Sequence, residues 1–206
     1  MKIGVLVSGG GTNLQAIVDA IECGKLPDCS IATVISSKPG VFALERAAKH
    51  GIHNSVISRK DFDDLSAFDA AICEEMEGQN VDLIVMAGFL SIVGEKLLSK
   101  FDGKIINIHP SLLPKYGGAG FYGLKVHEAV LAEGEKTTGA TVHYVNEIPD
   151  GGEIILQKAI DVLPDDTAES LQLRVMEECE REILVEAIRR ISIRLIMNDC
   201  CGSLKE

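Results

Sequence analysis

The sequence predicts an α/β fold: a mostly parallel sheet flanked by helices, then a β-hairpin-like region and one long final helix. Three observations carry this reading. Val- and Ile-rich runs of strand length alternate with segments of helical period through the first half of the chain. Two further strand-like runs follow one another beyond residue 139, joined only by EIPDGG. Apolar residues then recur every four positions, at Leu171, Val175, Cys179, Ile183, Ala187, Ile191 and Leu195, as on one face of a helix.

In order along the chain, KIGVLVS (2–8) reads as a strand and 12–23 as a helix. SIATVIS (30–36) precedes a helix over 41–50, and HNSVI (53–57) one over 61–78. VDLIVMA (81–87) and KIINIHP (104–110) are the next strands. A Pro- and Gly-rich stretch, SLLPKYGGAGFYG, separates the last of these from a helical pattern over 124–133. ATVHYVN (140–146) and EIILQKAIDV (153–162) form the strand pair, and the final helix runs from 167 to about residue 197. No repeat, low-complexity tract or linker interrupts the series, so a single domain over 1–206 is expected.

The 206 residues carry 20 Lys and Arg against 31 Asp and Glu, a formal charge of −11. With 6 Phe, 3 Tyr and no Trp, the chain lacks the basic field and stacking surface on which nucleic-acid binding relies. No apolar run approaches the roughly 18 to 20 residues that span a bilayer. The start MKIGVLVSGGGTN enters a Gly-rich turn rather than a signal-peptide cleavage region, so a cytoplasmic protein is expected. The six cysteines form no CxxC pair and have no closely spaced His, which indicates neither a metal site nor a redox motif. They read as reduced thiols, with Cys200 and Cys201 expected to be exposed.

Ser8-Gly9-Gly10-Gly11-Thr12-Asn13 stands where a buried first strand turns into a helix. Glycines admit an anion close to the backbone, and a helix N-terminus presents unpaired N–H groups at its positive end. The run is a poor dinucleotide fingerprint: Leu14 takes the third glycine's place, and the second strand ends in Ser36-Ser37-Lys38 without an acid for a ribose hydroxyl. It is also no Walker loop, since no Gly-Lys-Ser/Thr follows. A tight turn capped by Thr12 or Asn13 remains the plain alternative to a phosphate site.

Asn107 and His109 lie two apart in a strand, so they project on the same side, at the carboxyl edge where open α/β sheets bind ligands. Both can donate to one oxygen, although a strand-end His is often simply structural. Asp150 follows Ile148-Pro149 and precedes Gly151-Gly152, a sequence that also suits a β-turn. The apolar HYVNEIP before it argues for a longer, partly buried loop, in which a carboxylate would orient an imidazole, favour its cation and accept a proton. Asn107, His109 and Asp150 together suit acyl transfer without a nucleophilic Ser or Cys, hence direct transfer. His50 and His53 read as surface or capping groups, His127 and His143 as structural, and Glu180 as a solvated acid off the apolar stripe of the last helix.

GGGTNLQAI, INIHPSLLPKY, TTGATVHYV and DGGEIILQ, in that order and spacing, closely resemble the phosphoribosylglycinamide formyltransferases over residues 1 to 198. The resemblance implies a Rossmann-like fold and transfer of a formyl group from 10-formyltetrahydrofolate to the amine of glycinamide ribonucleotide in purine biosynthesis. It implies a phosphate-binding half over 1–100 and a catalytic, folate-binding half over 101–206. It makes Asn107, His109 and Asp150 catalytic, puts the substrate phosphate on Gly11, Thr12 and Asn13, and gives Glu180 the substrate ribose. The folate falls to Leu90, Ser91, Ile92 and Val93, with Asn107 and the loop ending at Asp150, and His127 lies close to the active-site loop. The partners so implied are the two small molecules, with no nucleic acid, membrane or metal, for a monomer or homodimer.

Three positions depart from the family pattern. Leu65 stands where an Arg is common near the phosphate, and Arg59, Lys60 or Lys115 are the cations available to replace it. Ser91 stands where some relatives carry an Arg near the folate, and Pro149 where an aliphatic residue is preferred. Formyltransferases acting on methionyl-tRNA or sugar-nucleotide amines, and a formyl-folate hydrolase, share this chemistry. The first carries an extra C-terminal domain and binds an RNA, and the hydrolase has an N-terminal domain, whereas here the first strand begins at Lys2. A non-catalytic nucleotide-binding module would keep the Gly-rich loop but gain nothing from the Asn-His-Asp set.

Overall fold

The computed structural model describes residues 1–202, with side chains to Met197; the expected exposure of Cys200 and Cys201 lies outside the described side chains. Among the described residues seven strands form one sheet: β1 (Lys2–Val7), β2 (Ser30–Ser36), β3 (Asn54–Val56), β4 (Leu83–Met86), β5 (Ile105–His109), β6 (Thr137–Tyr144) and β7 (Ile154–Asp161), in the order β3-β2-β1-β4-β5-β6-β7. The first five run parallel, and β6 and β7 are antiparallel additions. Strand order reverses around β1 and β4, which opens a crevice at their carboxyl ends. Helices α1 (Thr12–Glu22), α2 (Phe42–Lys49), α3 (Leu65–Gly78), α4 (Glu95–Lys100), α5 (Leu124–Ala132), α6 (Ala168–Val175) and α7 (Arg181–Gly202) complete the fold. Among the described residues no helix is long and apolar enough to cross a membrane.

The central strands are apolar on both sides because helices cover both faces. Ile3, Val5, Val7, Val85 and Ile106 pack with Leu14 and Ile17 of α1, Leu171 and Val175 of α6 and Leu184 and Ile188 of α7. Leu6, Ile84, Met86 and Ile105 point the other way, against Phe68, Ile72 and Met76 of α3 and Leu97 of α4. At about 25 cal/mol per Å² these two layers are the main favourable term in folding. The carboxyl ends are tied together by Ser8, whose hydroxyl lies 2.6 Å from that of Ser37 and accepts from the Leu90 N–H at 2.9 Å.

Two elements differ from the sequence reading. Helix α4, six residues long, is too short to show a period. The final helix is not uniform: a π turn, Met176–Glu180, separates α6 from α7. A strict four-residue recurrence drifts by roughly 40° per step on an α-helix, and one wider turn takes up part of the drift. The stripe stays buried through Ile191, whereas Leu195 is exposed.

Candidate active site

Strand β5 delivers Asn107 and His109 to one side of the sheet, and antiparallel pairing sets Asn107 opposite His143 and His109 opposite Thr141. The β6–β7 connection returns over them and carries Asp150. It is the longer loop rather than a two-residue hairpin, and an Asx turn shapes it, with Asn146 Oδ1 accepting from the Ile148 N–H at 3.0 Å. Asp150 takes a left-handed conformation, φ 55°, which side chains of this kind adopt at a cost of about 1–3 kcal/mol. Its carboxylate is held from three sides. The Gly118 N–H donates to Oδ2 at 2.9 Å, His109 Nδ1 lies 3.5 Å from Oδ2, and Oδ1 faces His143 Nε2 at 3.5 Å and the Asn107 amide at 3.4 Å. A side chain at Gly117 would overlap Leu113 and crowd Asp150 Cβ. Glycine there is what lets the loop close on the acid.

The hydrogen bonds fix which ring nitrogens are free. His109 Nε2 donates to the Tyr116 carbonyl at 2.7 Å, which leaves Nδ1 toward Asp150. His143 Nδ1 donates to the Tyr144 carbonyl at 2.8 Å, so in the neutral ring Nε2 accepts from Asn107 Nδ2 at 3.1 Å. Burial pushes His109 below its ordinary pKa, and the opposing pull of Asp150 and the Tyr116 carbonyl does not offset it. The sequence expectation that the carboxylate would favour the imidazolium is therefore corrected: desolvation wins, and the resting ring is neutral. Burial works to raise Asp150, but His143 and His109, each lowering it when its ring is protonated, and the Gly118 N–H together hold it below the usual carboxylate range. The pair rests as ionised acid and neutral base.

At the first helix, Gly11 has φ 71°, and a Cβ there would come within 2.8 Å of the Ala43 backbone. Neither Thr12 nor Asn13 caps α1; the helix has no side-chain cap, so its first N–H groups face the Gly-rich loop. The Asn13 side chain turns inward and donates to Glu180 Oε2 at 2.7 Å. Glu180 is buried rather than solvated, because the π turn brings it round to α1. Burial raises its pKa, and the Asn13 hydrogen bond and Arg181 offset part of that. One cation in contact with the Gly-rich loop was missed by the sequence reading. Arg46 on α2 donates through Nε to the Gly10 carbonyl at 2.9 Å and through Nη1 to Gln15 Oε1 at 2.9 Å, with its guanidinium over the Phe42 ring. No local signal marks it, since only the packing of α2 against the loop brings it there.

Of the cations expected to stand in for an Arg at Leu65, Lys115 is held by Glu135 at 2.6 Å. Arg59 and Lys60 instead line an open cleft of about 750 Å³ with Lys38, Leu90 and Ser91. In the Leu90–Val93 segment, Leu90 and Ile92 are exposed apolar groups, and Leu90 lines that cleft. Leu65 itself faces a different hollow, with Asp69 and Gly94. His127 on α5 is fully buried, with neither ring nitrogen hydrogen-bonded, and burial with the nearby His109 pushes its pKa down to about 4. His143, which its strand position suggests is structural, stands within the candidate set. Its only sequence signal is the register of β6 on β5, which no local pattern reveals.

The chain resembles known proteins over nearly all its length. It is 44% identical over 177 residues to a phosphoribosylglycinamide formyltransferase of Haemophilus influenzae, covering 86% of this chain and 81% of that one. It is 41% identical over 202 residues to the trifunctional purine biosynthetic protein adenosine-3 of Chironomus tentans, covering 97% of this chain but 14% of that protein. The crystal structure of glycinamide ribonucleotide transformylase 1 from Symbiobacterium toebii superposes with a TM-score of 0.86 at 42% identity, covering 92% of this chain and 86% of that one. The formyl transferase family model matches residues 1–188. On that match, and on relatives of such identity and coverage, the chain belongs to the formyl transferase family.

Proposed function

We propose that this chain transfers the formyl group of 10-formyltetrahydrofolate to the amino group of glycinamide ribonucleotide, giving formylglycinamide ribonucleotide and tetrahydrofolate in purine biosynthesis. Family membership and the activities named for its relatives support the reaction class and the acceptor. The single observation that carries the reading is the convergence of Asn107, His109 and Asp150 on one side of β5, with an ionised acid beside a neutral imidazole.

The substrate amine attacks the formyl carbon, and the carbonyl electron pair moves onto oxygen. Donors about 2.7 to 3.1 Å from that oxyanion stabilise it. Asn107 supplies one N–H, since its 3.4 Å contact to Asp150 is long enough to be exchanged for the new charge. The proton on the attacking nitrogen is taken up by the Asp150–His109 pair. Held on Nδ1, it makes an imidazolium donor with Asp150 beside it. It then passes to the folate nitrogen as the C–N bond breaks and that nitrogen takes the bonding pair.

The half over 1–100 holds the ribonucleotide: its phosphate lies on Gly11, Thr12 and Asn13, through backbone N–H groups for Asn13, with Arg46 as the adjoining cation. Glu180 takes the ribose. The half over 101–206 supplies the chemistry, and the folate lies along Leu90, Ser91, Ile92 and Val93 and against Asn107. With a net charge of −11 the overall field repels both anionic substrates, so attraction is local to these groups. The same reading has the chain act on small molecules in the cytoplasm, as a monomer or homodimer.

The test is formyl transfer by the purified chain to glycinamide ribonucleotide, methionyl-tRNA, a sugar-nucleotide amine and water in parallel. Turnover on the ribonucleotide supports the proposal, and preference for any other acceptor rejects it.

A further inference from the structure

We propose that Tyr116 is a positioning residue for the His109–Asp150 pair, its hydroxyl anchoring a three-residue strip of backbone that clamps both partners; the catalytic part of this inference rests on the formyl-transfer reading above. The strip is Tyr116–Gly118. At one end the Tyr116 carbonyl accepts from His109 Nε2 at 2.7 Å, and at the other the Gly118 N–H donates to Asp150 Oδ2 at 2.9 Å. Gly117 between them has no room for a side chain against Leu113 and Asp150. The carbonyl contact sets the tautomer: with Nε2–H committed to Tyr116, the lone pair of a neutral His109 is at Nδ1, on the side of the acid.

What holds the strip is outside the site. Tyr116 sits at φ 55°, an uncommon conformation for a bulky residue, which persists only when its surroundings enforce it. Its hydroxyl donates to Glu133 Oε2 at 2.7 Å, with Glu135 Oε1 at 3.1 Å, both at the corner between α5 and β6. Lys115 neutralises part of that acidic pair through Glu135, and the Tyr116 ring packs edge-on against Phe121. Ser111 Oγ, donating to the Lys115 carbonyl at 2.6 Å, fixes the turn just before. A phenol between two carboxylates makes a charge-assisted hydrogen bond, stronger than a neutral one.

Tyr116→Phe removes the hydroxyl and keeps the ring and the carbonyl. The nitrogen NMR signals of His109, which distinguish Nε2–H from Nδ1–H rings, report the tautomer without any need for turnover. In the variant they are expected to move from a single Nε2–H form to a mixture. kcat is expected to fall about tenfold with KM for both substrates nearly unchanged, the size of one charge-assisted hydrogen bond. The Glu133→Ala, Glu135→Ala pair removes the anchor from the other side and gives the same result if Tyr116→Phe does not fold. Glu133→Gln with Glu135→Gln, whose amide oxygens still accept from the phenol, recovers most of the loss. Parental His109 signals in both Tyr116→Phe and the alanine pair overturn the proposal, even if kcat falls. A tautomer change in a chain that formylates no ribonucleotide leaves the clamp standing and rejects the proposed reaction instead.

Discussion

Asn107 on β5 and His143 on β6 are directly opposed across an antiparallel pair, and the Asn107 amide lies 3.1 Å from His143 Nε2, within hydrogen-bonding distance. Because His143 Nδ1 is committed to the Tyr144 carbonyl, the neutral ring can only accept at Nε2, so it aims the Asn107 N–H groups rather than competing for their role. Removing it in His143→Ala is expected to lower kcat about tenfold, the cost of one lost hydrogen bond in a buried site. His143→Gln, which can still accept from Asn107, should lose less. Steady-state kinetics of both variants check the ordering, and equal losses would argue against an aiming role.

Arg46 contacts the Gly-rich loop, whereas Lys115 is tied to Glu135. In Arg46→Ala, KM for the ribonucleotide should rise about tenfold with kcat little changed, as expected for loss of a charge-assisted contact made equally in ground and transition states. Lys115→Ala should leave that KM unaltered. The reverse pattern would move the phosphate away from α1.

His127 makes stability depend on pH. Its native pKa is about 4 against an ordinary 6.5, so between those values the unfolded chain binds a proton that the native chain does not. Stability is therefore lost as pH falls through that window, by about 3 kcal/mol for this group. Chemical denaturation at pH 7 and pH 4 should show His127→Leu losing about 3 kcal/mol less than the parent across the interval. The same loss in both chains would show that the imidazole is hydrated and protonated in the fold.

Much of the architecture is legible because it is local. The spacing of Asn107 and His109 in a strand places them on one side, and the apolar run before Asp150 does imply a loop longer than a hairpin turn. What escapes depends on contacts distant in sequence. His143 joins the site through strand register, and Arg46 reaches the Gly-rich loop through packing of α2. Glu180 reads as solvated when the last helix is taken as uniform, and is buried because the π turn rotates it toward Asn13. The pKa of His109 turns on burial, which one neighbouring carboxylate in the sequence does not convey.

In the proposed reaction Asp150 holds the proton-accepting place, and Asp150→Asn keeps its shape while removing its charge. A single-turnover experiment with isotopically labelled formyl donor, quenched at intervals, measures transfer in the parent and in this variant. Label should pass from folate to ribonucleotide with none on the protein, and Asp150→Asn, folded, should be slower by about 10²–10³, the scale set by loss of one catalytic electrostatic contact. Label trapped on the chain, or a variant as fast as the parent, would contradict direct transfer through the Asn107, His109 and Asp150 set.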